Sequence, residues 1–147
     1  YRSGTGDAFG VLDGPVGELE RLGELDPDHR DIAYWLIAAY LATGQTDLAR
    51  DYAREARLKF SGDADIATLY GLALYRDGDA AGAEGELRRS LSIDAENPVT
   101  SFNLGVVLLE TERRDEAIRI LEQVADAHPN EPIGDRARAV LAKTPSR

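Results

Sequence analysis

Along the central part of the chain, apolar residues return three and four positions apart. In DIAYWLIAAYLATG, Ala33, Leu36, Ile37 and Tyr40 form a stripe down one side of a helix. LYGLALYRDG and SFNLGVVLLE carry the same stripe. Each is followed by a second amphipathic stretch: LARDYAREARL, AGAEGELRRSL and DEAIRILEQVA. Gly44 and Gly78 separate the paired stretches in the first two cases, where a chain leaving a helix takes up the left-handed conformation that glycine tolerates. Glu112 occupies the third such place, which predicts a strained turn costing about 1 kcal/mol. Asn97 before Pro98 marks a helix start, and Pro132 marks another. No stretch alternates apolar and polar residues for long enough to make a strand. The pattern is all-α.

The pairs repeat. Written beneath one another, residues 30–63, 64–97 and 98–131 share one register without gaps. Ala49, Ala83 and Ala117 fall in one column, and Leu36, Tyr70 and Leu104 in another. Ile37, Gly71 and Gly105 follow at the next position, then Tyr40, Leu74 and Leu108, and later Ala56, Ser90 and Val124. A period of 34 residues kept through three blocks is the signature of a stacked repeat.

The unit is similar to the tetratricopeptide repeat. The family favours leucine and glycine at positions 7 and 8, tyrosine or leucine at 11, glycine at 15, alanine at 20 and 27, and proline at 32. Leu104, Gly105, Leu108, Ala117 and Pro129 match in the third block. Gly71, Gly78 and Ala83 match in the second, and Leu36, Tyr40, Gly44, Ala49 and Ala56 in the first. Departures are the small Ala33, Ala67 and Ser101 at position 4, and Ser61 and Ala95 where proline is usual. The resemblance implies a right-handed superhelical solenoid of antiparallel helix pairs, about eight helices in all.

The ends fit that scheme. Residues 1–14 contain four glycines and few core candidates, and read as a flexible leader. Residues 15–29 place Leu19, Leu22 and Leu25 on a helical stripe, the second helix of a truncated repeat. Three full repeats follow, at 30–63, 64–97 and 98–131. Residues 132–147 then supply a capping helix, with Ile133, Ala137, Val140 and Leu141 on one face, and a tail. The chain opens at Tyr1 instead of methionine, which leaves room for an upstream segment or anchor.

Composition narrows the partners. The net charge is −10, and only residues 132–147 are basic, with four positive side chains against one negative. A body this acidic repels phosphate backbones, so nucleic acid is a poor partner, and no apolar run is long enough to insert into a membrane. There is no cysteine, which removes disulfides and thiolate chemistry and leaves the compartment open.

If positions 4, 7, 8 and 11 of each first helix are spent on packing, positions 2, 5, 9, 12 and 13 line the concave side. Among these, Tyr34, Leu41, Leu72, Tyr75, Arg76, Phe102, Val106, Leu109 and Glu110 are the candidate peptide-binding groove. Tyr34, Tyr75 and Phe102 would be anchors, with Arg76 and Glu110 orienting at the rim. Family members that grip acidic tails use a carboxylate clamp of basic and amide side chains, and here only Arg76 and nearby Asn103 could serve. The reading is therefore a scaffold or adaptor that takes a hydrophobic or amphipathic segment of a protein partner. Two alternatives stay open: a self-associating structural repeat, and a groove filled by the chain's own ends or buried by helices that close over it. Trp35 is expected to pack on the leading half-repeat instead of joining the groove.

Catalytic and metal motifs fail on inspection. Asp77, Asp79 and Gly82 partly match a calcium loop, but Ala81 takes a ligand position and Arg88 stands where a bidentate glutamate is required. Gly4, Gly6 and Gly10 have the wrong spacing for a phosphate loop. His29 and His128 form no HExxH pair. The expectation is a non-enzymatic domain without cofactor or metal.

Overall fold

The computed structural model describes residue 14 and residues 16–145. The leader expected at residues 1–14 therefore falls, save for Gly14, outside the described residues. Eight helices and no strand occur among the described residues: α1 (16–25), α2 (Arg30–Ala42), α3 (Thr46–Lys59), α4 (Ala64–Arg76), α5 (Ala80–Ile93), α6 (Pro98–Glu110), α7 (Arg114–Ala127) and α8 (Pro132–Ala142). From α2 to α8 each helix packs on the next. The first helices also touch one another, α2 on α4, α4 on α6 and α6 on α8. That double set of contacts makes a solenoid, with α2, α4, α6 and α8 lining one side.

Local chemistry fixes where helices begin and stop. Asp63, Asp79 and Asn97 accept backbone N–H groups at the starts of α4, α5 and α6, each cap contributing about 1 kcal/mol. All three turns inside the pairs close in the same way. Gln45, Asp79 and Arg113 donate their N–H groups to the carbonyls of Tyr40, Leu74 and Leu108, five residues earlier. The intervening residue must take positive φ: Gly44 at 75°, Gly78 at 89° and Glu112 at 62°. The third turn thus has the shape of the other two, with a side chain in a conformation that suits glycine.

Within a pair, the close approach is set by a size exchange between two columns. A Cβ on Gly105 would lie 2.7 Å from Leu121 Cγ, and one on Gly71 3.0 Å from Leu87 Cγ. In the first pair the sizes are reversed, with Ile37 in the glycine column and Ala53 in the leucine column, both fully buried. Each crossing holds one small and one large residue, which keeps the total volume near constant.

Between pairs, the second helices are tied by arginine. Arg57 of α3 holds Glu86 of α5 through two hydrogen bonds of 2.9 Å, and Arg88 of α5 reaches Glu116 of α7 at 2.9 Å. The junction of the second and third repeats also contains a buried hydroxyl chain. Ser90 donates to the Ala64 carbonyl at 2.8 Å, so its oxygen is left to accept from Thr68 at 2.7 Å. Thr68 in turn accepts from Thr100 at 2.8 Å. Every hydroxyl proton has a destination, so three polar groups sit in the core without a desolvation penalty left over.

One expectation is corrected. Trp35 is 58 % exposed and meets Tyr34 edge-on, with ring centroids 5.0 Å apart, instead of packing on α1. Gly23 of α1 seats itself against Ile32 and Leu36, and Trp35 lies off that face of α2.

The crossings yield two expectations for urea or thermal unfolding. Gly105→Ala should destabilise the protein by about 1–2 kcal/mol, because Leu121 is fully buried and overpacking outweighs the gain of about 1 kcal/mol in helix propensity. Glu112→Gly should stabilise it by about 1 kcal/mol by relieving the left-handed backbone.

Candidate functional site

The concave side is built by α2, α4, α6 and α8, and it is closed in some places and open in others. Where α8 packs on α6 the predicted groove residues are already engaged. Phe102 is only 5 % exposed: it packs with Leu121, Val124, Ala125 and Ala137, and the Arg136 guanidinium of α8 lies 4.7 Å from its ring centre. Val106 and Leu109 are half-buried in the same cluster. Phe102 is therefore core, not an exposed anchor. The cause is α8, which supplies the next first helix and closes over α6.

Leu41 is likewise buried, in the core of the first repeat. Arg76 does not stand free at the rim. Its Nη1 donates to the Leu41 carbonyl at 2.6 Å and so caps the last turn of α2, where a cation also meets the negative end of the helix dipole. Tyr75 donates its hydroxyl to Glu110 at 2.7 Å. Burial first, and then the adjoining carboxylate, push the Tyr75 phenol up to about 12. Tyr75, Arg76 and Glu110 form internal ties between neighbouring repeats.

The surface is open toward the N-terminal ends of α2, α4 and α6. Tyr34, Asp65, Thr68, Leu69, Leu72, Asn97 and Val99 line a pocket of about 160 Å³ between α2, α4 and α6. Its floor includes Thr68, held by the hydroxyl chain, and Leu69; its rim is Val99, 44 % exposed. Of the predicted set, Tyr34 and Leu72 meet here. Leu69 and Asn97 were not foreseen, because position 6 faces the neighbouring first helix and the cap of α6 reaches the rim only once the repeats are stacked.

Arg30 holds one wall. Its guanidinium carbon lies 5.1 Å from the centre of the Tyr34 ring, a cation–π contact. The same group donates to Asp63 through two nitrogens and to Asp65 at 2.9 Å. Burial by itself would raise the Asp63 carboxyl, but Arg30 and the Ile66 N–H outweigh it and hold the group below its ordinary value. Among the described residues no group of three or more His, Cys, Asp or Glu could hold a metal ion. Asp77 accepts from Arg50 and Asp79 caps α5, so the aspartates of the partial calcium-loop match are turn residues.

A depressed carboxyl pKa adds stability that is fully present above the ordinary value of 3.8 and is lost as pH falls through the folded-state value. The stability gap between the wild type and Asp63→Asn, which keeps a helix cap, should therefore be constant near neutrality and shrink in acid below the ordinary carboxylate range. Thermal unfolding across a pH series measures it; a gap that widens in acid would contradict the Arg30–Asp63 geometry.

The tetratricopeptide repeat family model matches residues 17–73 and again 74–143, most of the chain. None of the curated proteins matches the sequence significantly. Among solved structures, a thermophilic tetratricopeptide repeat protein of Thermus thermophilus superposes with a TM-score of 0.78 at 19 % identity, over 92 % of this chain and 75 % of that one. MamA gives 0.70 at 17 % identity, over 94 % and 89 %. The Yersinia enterocolitica type III secretion chaperone SycD, in complex with a peptide of the translocator YopD, gives 0.68 at 16 %, over 78 % and 87 %. At these identities the likeness is one of fold. The repeated side-chain columns, the stacked helix pairs and the two matches of the family model together place this chain in the tetratricopeptide repeat family.

Proposed function

We propose that this chain is a protein-interaction module that takes an apolar side chain of a peptide partner in the pocket between Tyr34, Leu72 and Val99. The observation that carries the reading is the contrast along the concave side. That side is closed by α8 over α6, and by Arg76 and the Tyr75–Glu110 pair at the C-terminal ends of α2, α4 and α6, whereas toward the N-terminal ends of these helices it keeps an open, mainly apolar depression. A cavity of about 150 Å³ can hold a benzene ring, so a pocket of about 160 Å³ suits one large aliphatic or aromatic anchor, not a whole helix face. Flanking residues of an extended or amphipathic peptide would then run over Trp35 and Val99, both of which expose apolar surface. SycD, with the same fold, is a chaperone whose structure holds a translocator peptide, which supports a peptide partner for the present fold without identifying it. The reading needs no catalysis.

Trp35 is the single tryptophan and lies beside the pocket wall, so its fluorescence reports on occupancy. Peptides selected from a random display library on the wild type should share one large apolar residue and shift the Trp35 emission to shorter wavelength. Leu72→Asp should weaken them on the order of tenfold or more, since it charges the centre of the contact. Binders that tolerate Leu72→Asp and Tyr34→Ser without loss would rule the pocket out.

A further inference from the structure

The loops that lead into α2, α4 and α6 present equivalent backbone carbonyls at Pro27, Ser61 and Ala95, spaced by the 34-residue period. In the first two loops the second helix of the following pair answers with a cation. Lys59, the last residue of α3, places Nζ 2.9 Å from the Pro27 carbonyl and 3.3 Å from an oxygen of Asp28. Arg89 of α5 donates to the Ser61 carbonyl at 2.7 Å.

The third loop keeps the acceptors and loses the cation. Ala95 and Glu96 stand two periods after Pro27 and Asp28, but Ala127 ends α7 where Lys59 ends α3, and Gln123 has the place of Arg89. Among the described residues nothing donates to the Ala95 carbonyl, and the Glu96 carboxylate has no partner. The last turn of α7 contains no basic residue, and the adjoining His128 is held by Glu131 at 3.1 Å. A pocket of about 200 Å³ lies at this place. Pro98, Ile120, Val124 and Ala127 give it apolar walls, and Ala95 and Glu96 also line it.

We infer that this pocket takes a lysine side chain of a protein partner. The methylenes lie along the apolar walls while the charged head stays at the rim. There the ammonium bridges the Ala95 carbonyl and the Glu96 carboxylate, as Lys59 bridges Pro27 and Asp28 within the chain. It also meets the negative end of the α7 dipole. Lysine is chosen over arginine because the first loop shares this carbonyl-plus-carboxylate pair, whereas the loop served by Arg89 has Gly62 in place of the acid. The surrounding field favours a cation, since residues 64–97 and 98–131 each carry three basic against seven acidic side chains. The pocket shares no lining residue with the one between Tyr34, Leu72 and Val99, so the inference is independent of the peptide reading.

Amide NMR of the isotope-labelled chain, titrated with N-acetyl-lysine methylamide and with its uncharged norleucine analogue, tests it. The lysine compound should shift the amides of Ala95, Glu96 and Ala127 in a saturable, millimolar titration. The norleucine compound should bind about fivefold more weakly or worse, the loss expected for one exposed ion pair. Glu96→Gln should weaken the lysine compound by a similar factor. Ala127→Lys should abolish the response, because a tethered ammonium occupies the site at an effective concentration that a free ligand cannot match. Both positions are exposed, and the remaining amide signals show that each variant is folded. Shifts that do not saturate, an equal response to the norleucine compound, or lysine binding indifferent to either substitution overturns the inference. So does ethylammonium binding as tightly as the lysine compound, which would assign the pocket to a small free amine.

Discussion

The stack depends on how closely the two helices of a pair approach. At each crossing the structure permits one large side chain, and the sequence places it on one partner or the other: Leu87 over Gly71, Leu121 over Gly105, but Ile37 with Ala53. Because protein interiors are packed as densely as molecular crystals, a misplaced methyl group here cannot be absorbed locally and must move a helix. The displacement would then pass to the next repeat, since each first helix rests on the one before it. A small volume constraint thus governs the shape of the concave surface, and with it the pocket.

The pocket gains its definition from a second, polar device. Ser90 stands in a column that holds Ala56 and Val124 in the other repeats, and its hydroxyl links a chain that runs from Thr100 through Thr68 to the Ala64 carbonyl. The three hydroxyl residues come from α5, α6 and α4, so the hydrogen bonds fix these helices against one another at the pocket floor. A buried hydroxyl network contributes little net stability but penalises any arrangement that leaves a member unpaired. It is a reason for the first turns of α4 and α6 to hold one spacing.

Arginine performs several distinct tasks on this frame, and they explain why so much of the concave side is closed. Arg136 covers Phe102, Arg76 caps α2, and Arg30 supports the Tyr34 wall while held by Asp63 and Asp65. Arg57 and Arg88 link successive second helices. A planar, permanently charged group with several donors suits such bridging better than lysine does.

The architecture was legible in the chain because helical spacing and the 34-residue return are both local or periodic properties. Gly44, Gly78 and Glu112 announced the turns, since only the backbone of the turn decides which residues are at ease there. Tyr34 and Leu72 could be placed on the inner side from helical geometry alone. The fate of Phe102, Leu41 and Arg76 could not, nor could that of Trp35. A helical face says which direction a side chain leaves its own helix, but not whether another helix waits there. Only the stacked structure shows α8 and Arg136 closing over Phe102, Arg76 turning back to the Leu41 carbonyl, and α1 seated on Ile32 and Leu36 so that Trp35 stands uncovered. The repeat pattern determined the fold, because it recurs in every unit; tertiary contacts decided the site, because they join residues of different repeats, at positions where each repeat differs from the next.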